Sequence, residues 1–126
     1  MKVLSIVETA YRATAEEQDD TILWLNTMFK GADLDVSILL RGNAVNYLVN
    51  GQDASGLSFG GLELTHPPKI DEDIATLLDK GVPVHYVAED LADRGIPTDK
   101  LVDGAKPVHR GELPALLGQY DQVWHW

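Results

Sequence analysis

At 126 residues the chain has the length of one domain built around one core. Asp and Glu number 20 against 10 for Lys and Arg, a formal charge of −10, and a field of that sign repels phosphate backbones and anionic lipid. No direct nucleic-acid partner is expected unless another subunit brings positive charge, and the absence of cysteine excludes disulfides, zinc–thiolate centres and cysteine nucleophiles while fitting a reducing cytoplasm.

Lys2 to Val7 reads as a buried first strand and not a signal peptide, because Glu8 interrupts an already short apolar run. Nothing later approaches the roughly 20 apolar residues that span a bilayer, so no membrane partner is expected. Thr14 to Lys30 reads as a helix, with Thr14 as N-cap and Glu17 as its capping-box partner. Ile22, Leu25, Met28 and Phe29 recur at helical spacing, Leu23 and Trp24 widen the stripe, and Gly31 stops it. Leu34 to Leu40 is a second buried strand, and Asn43 to Val49 a short helix ended by Asn50-Gly51.

Gln52 to Pro68 holds Gly56, Gly60, Gly61, Pro67 and Pro68, which predicts a long loop with a short strand at Leu62–Leu64. Loops of that length in compact domains are usually functional or mobile. Asp71 to Lys80 resumes a helix, with Ile74, Leu77 and Leu78 on one face and Gly81 as its stop. Val82 to Val87 is the third long strand, Asp90 to Arg94 is helical, and Ala105 to Val108 is a short strand. Glu112 to Gln119 is a helix with Leu113, Leu116 and Leu117 inward, and Gln122 to Trp126 is the last strand. Strands alternating with helices predict a single domain over 1–126, a three-layer α/β/α architecture around a parallel sheet.

Several features bear on chemistry, and each also has a plain structural reading. SGLSFGG is neither GxGxxG nor a P-loop, so no nucleotide cofactor is expected and a flexible glycine loop suffices. His66, His85, His109 and His125 form no HExxH or i,i+4 pair. His85 in an inner strand and His109 just after one would bind metal only if they met an acid; hydrogen-bonded histidines are the commoner outcome, and no metal is assigned. Glu89, Asp90 and Asp93 crowd the helix start after Val87, where carboxylates suit the macrodipole and Asp90 has Arg94 one turn on. In Arg41-Gly42-Asn43, Gly42 allows a tight turn, Asn43 suits an N-cap, and Arg41 is an open ligand candidate, with a fork for a carboxylate, sulfonate or phosphate. At the end, YDQVWHW puts Trp124 and Trp126 on one face of a strand and His125 on the other, a pattern that suits a core or an interface.

Together these stretches resemble the DsrE/DsrF/DsrH-like family, which includes the Tus sulfur-relay proteins. LLRGNAVNYLV (39–49) is similar to the family's strand–"F.GDAV"–helix segment, LLDKGVPVHYVAEDLADRGI (77–96) to its "GV.v..C..c...RGI" block, and GELPALLGQYDQVWHW (111–126) to its last helix and "YDKV..W" strand. The resemblance implies a five-stranded, mainly parallel sheet, assembly as a trimer or hexamer, and sulfur carried as a persulfide on a cysteine after the strand of the "RGI" block. Val87 and Asp90 stand at the matching positions, and neither can hold a persulfide, because only a thiolate can.

The sequence therefore reads as a non-catalytic DsrE-like protein of the cytoplasm. It would be a scaffold or partner in sulfur trafficking, beside DsrE- or TusA-type sulfur carriers, or a small-ligand binder, and it would need no cofactor. The alternative is a cysteine-independent enzyme or a metal- or anion-binding protein, with Glu89 or Asp90 as base, His109 as acid or ligand, and Arg41 as anion clamp. The candidate ligand-binding residues are Arg41, Asn43, His85, Glu89, Asp90 and His109.

Overall fold

The computed structural model describes residues 1–11, 21–53, 55–56, 58–63 and 67–126. Strand β1 (Lys2–Val7) is followed, within the described residues, by helix α1 (Thr21–Gly31), strand β2 (Asp35–Leu40) and a 3-10 helix (Gly42–Leu48). A hairpin of β3 (Ser58–Phe59) and β4 (Leu62–Glu63) leads to α2 (Ile70–Asp79), β5 (Val84–Val87) and α3 (Ala88–Asp93). Strand β6 (Lys106–Val108), a 3-10 turn (Arg110–Glu112), α4 (Leu113–Leu117) and β7 (Gln122–His125) complete the order. The expected helix start at Thr14, with Glu17, lies outside the described residues, as do Leu64 and His66.

The five long strands form one parallel sheet in the order β6-β5-β2-β1-β7. The central strand β2 is almost continuously apolar because both of its faces are covered, and Val36 to Leu40 are all buried. Alternation assigns the faces. Val7, Val36, Ile38, Leu40, Val84 and Tyr86 join α1, α2 and the Gly42–Leu48 helix in the larger cluster. Leu4, Ile6, Leu39, Val87 and Val108 lie in a smaller one under Leu116 of α4. Each such buried side chain contributes about 1.5–3 kcal/mol through removal from water, so a charge at Ile38 would both forfeit that term and strand an ion between layers.

Local departures from expectation have local causes. Gly42–Leu48 is a 3-10 helix, tightened by bonds such as Ala44 N–H to Arg41 carbonyl at 3.1 Å. Asn43 is not its N-cap: that place belongs to Arg41, whose side chain makes no cap bond. The glycine loop contains a hairpin, because Gly60 and Gly61 both take positive φ (56° and 84°), as a two-residue turn between right-twisted strands requires. Among the described residues no helix is long and apolar enough to cross a membrane.

Candidate functional site

Parallel strands deliver their carboxyl ends to one edge, and here each of the five brings an ionisable residue. Glu8 follows β1, Arg41 follows β2, Glu89 and Asp90 follow β5, His109 and Arg110 follow β6, and His125 ends β7.

Asp90 is the centre of this row. It is the buried carboxylate of α3, and it turns back across the sheet to accept the Gly42 backbone N–H at 2.7 Å. Gly42 can present that N–H because its φ is +56°; an added Cβ would also meet Glu8 Cγ at 3.3 Å. The other oxygen of Asp90 is held by the Arg110 guanidinium, which also reaches Asp93 at 3.1 Å. Burial pushes the Asp90 carboxyl up, but the Gly42 N–H, the Arg110 guanidinium and the charge of Arg94 outweigh it and hold the group below its ordinary range. The pair suggested by helical spacing does not form as such: Arg94 donates to the backbone carbonyl of Asp90 at 3.1 Å and to Asn43 Oδ1 at 3.0 Å, leaving the carboxylate to Arg110. Asn43 thus fixes Arg94 where an N-cap role was expected.

Glu89 faces β6. Its carboxylate accepts the Arg110 backbone N–H at 3.0 and 3.2 Å and lies 3.5 Å from His109 Nδ1. The Arg110 N–H is the main reason this acid sits below its ordinary range. On the other flank, His125 Nε2 lies 2.6 Å from Glu8 Oε2, and Arg41 Nε lies 3.7 Å from Glu8 Oε1.

His85 does not join this row. It occupies the α4 face of β5, opposite Lys106, and makes no hydrogen bond or ion pair with Glu89 or His109. Burial first, then the charges of Lys106 and Lys2, push its imidazole below the usual value. Among the described residues no group of three His, Asp or Glu side chains is placed to hold a metal ion. Val87 is only 1% exposed and packs with Leu4, Ile6, Leu39, Val108 and Leu116.

Arg110, Glu8 and His125 were not singled out as site residues from sequence. Position gives the signal: each lies within two residues of a strand's carboxyl end. Beyond His125, Phe29, Trp124 and Trp126 line an open surface depression of about 420 Å³. The rings of Phe29 and Trp124 meet edge to face, 5.3 Å apart.

The DsrE/DsrF-like family profile matches residues 1–125. The chain belongs to the DsrE/DsrF-like family. Among the solved structures that share its fold are the following two. The crystal structure of the ychN protein from E. coli aligns over 100% of both chains at 23% identity, with a TM-score of 0.74. A protein of unknown function, MTH1491 from Methanobacterium thermoautotrophicum, aligns over 98% of this chain and 97% of its own at 20% identity, with a TM-score of 0.59. No curated protein sequence matches this DsrE-like chain.

Proposed function

We propose that this DsrE-like chain is a non-catalytic partner or scaffold subunit in cytoplasmic sulfur trafficking, of the kind that serves sulfur oxidation or tRNA thiolation. One observation carries the reading. Both positions that match the family's sulfur-bearing cysteine are closed to that chemistry, Val87 by burial in an apolar cluster and Asp90 by the Gly42 N–H and the Arg110 guanidinium. An ionised carboxylate is neither a nucleophile for sulfur nor a redox centre, so the fold is kept while the covalent step falls to a cysteine-bearing partner.

The test is affinity capture from the native host with the chain as bait, followed by persulfide labelling of what is captured. The reading expects DsrE- or TusA-type proteins bearing labelled cysteine. Capture of no sulfur-carrying protein would sink it.

A second reading has its own observation. His125, Glu8 and Arg41 form a linked group at the exposed edge, and His109 lies beside Glu89, as a small-ligand or acid–base site would require. Thermal-shift screening against sulfur anions, nucleotides and metals separates the two, since a ligand of the native state raises its melting temperature.

A further inference from the structure

The aromatic depression beside β7 holds an unused pair of backbone groups. The Trp126 N–H donates to the Ile6 carbonyl at 2.9 Å, and the Trp126 carbonyl accepts the Glu8 N–H at 3.1 Å, so both groups of Trp126 face β1. Backbone direction alternates along a strand, which turns the N–H and C=O of His125 outward, to the side of β7 that pairs with no other strand. Among the described residues nothing bonds them. His125 lines the depression with Phe29, Trp124 and Trp126, but its imidazole lies on the α4 face with Ile6 and reaches Glu8. What it offers the depression is therefore its backbone. The walls offer ring surface alone, because the indole N–H of Trp126 already donates to Ser5 Oγ at 2.9 Å and that of Trp124 to Gln122 Oε1 at 3.0 Å.

We infer that the depression binds a flat, uncharged heteroaromatic ring with a donor and an acceptor side by side on its edge, the chemistry of a nucleobase. The ring packs against Trp124 and Trp126, and its edge pairs with the His125 N–H and C=O. The size fits: about 420 Å³ lies within the roughly 300–1,000 Å³ of small-molecule sites, and an open depression covers one face and one edge of its ligand, which suits a flat one. An added peptide strand would need consecutive outward pairs, and Val123, the other residue of β7 whose groups turn outward, does not line the depression. Charge selects further. The chain carries −10, so a phosphorylated form of the ligand is repelled, in keeping with a sequence that has no phosphate-binding glycine loop. The inference rests on neither reading above, since Glu8, Arg41 and Asp90 take no part in lining the depression.

The test titrates the full chain with adenosine. In a Trp24→Phe background the remaining tryptophans, Trp124 and Trp126, both line the depression, and adenosine should quench their emission saturably. Adenosine dimethylated on its exocyclic amine keeps the ring but loses the donor, and should bind about fivefold more weakly. Adenosine monophosphate should also bind more weakly, because it brings negative charge into a negative field. His125→Pro removes the outward N–H, a change an edge strand accepts on its open side, and should weaken adenosine binding about fivefold. Val123→Pro removes an outward N–H outside the depression and should bind adenosine as the parent does. Quenching that never saturates, equal affinity for the dimethylated nucleoside, tighter binding of the monophosphate, or undiminished affinity in His125→Pro would each overturn the inference. The dimethylated nucleoside decides the matter without any substitution in β7, should His125→Pro fail to fold.

Discussion

Arg110, at the end of β6, grips the buried carboxylate of Asp90, 20 residues earlier at the start of α3. The pair ties the last two strands of one flank together, and through the Gly42 N–H it reaches the end of β2 as well.

Asp90→Ala should therefore destabilise the fold. It leaves the half-buried Gly42 N–H without an acceptor and removes the partner of Arg110, a loss of about 1–3 kcal/mol. The expected readout is a melting temperature lower by several degrees. Asp90→Asn keeps an acceptor for Gly42 and should fall between wild type and Asp90→Ala. Equal melting temperatures for all three would mean the network contributes nothing.

Acid should weaken the protein in two stages. The folded-state value of Asp90 is held below 3.8, so its contribution is complete above that pH and is lost as pH falls through the depressed value. His85 acts earlier. Its folded value lies below 6.5, so the unfolded chain takes up the proton first and stability begins to fall as pH drops through 6.5. In urea titrations across pH 8 to 5, His85→Gln should show a flatter decline than wild type; parallel curves would remove His85 from the account.

Single cysteines at the two family positions should behave differently. At Val87 a thiol would lie in an apolar cluster, and its pKa would rise. At Asp90 it would face the Gly42 N–H and Arg110, which favour the thiolate. Alkylation with iodoacetamide at pH 7 should run at least about tenfold faster for Asp90→Cys than for Val87→Cys. The reverse order would show that the site lies on the α4 side of β5.

Gly42→Ala tests the turn on which Asp90 depends. A left-handed backbone costs a side-chain-bearing residue about 1–2 kcal/mol, and the new methyl would press on Glu8 at 3.3 Å. Thermal melting should show a loss of at least that size, and an unchanged midpoint would mean the loop relaxes freely.

Much of the architecture was legible in the sequence, for reasons that particular elements make plain. Lys2–Val7 and the apolar run ending at Leu40 announce buried strands, because both faces of a parallel sheet are covered. Glycines mark the ends of α1 and α2. The site was harder to read. Glu89 and Asp90 stood out by clustering, but their partner Arg110 lies one whole strand and its connections away, and Glu8 meets His125 across 117 residues. Spacing along a chain reports neighbours within an element. Which strand ends lie side by side depends on strand order, which no local pattern encodes. His85 shows a second limit: an inner strand can be read from its apolar run, but a one-residue step along a strand reverses the face, and only the sheet puts this side chain on the α4 face.

The pairing of β7 with β1 sets a schedule for synthesis. Asp121, whose N–H closes onto the Lys2 carbonyl, emerges 119 residues after it. At ribosomal rates of about 5–20 residues per second, β1 waits on the order of ten seconds with one flank uncovered. Strand β2 can dock much sooner, so the nascent chain passes through a stage in which β1, and not β7, is the edge. Chaperone contact with the growing chain should concentrate on Leu4 and Ile6, and it should end once β7 pairs with β1.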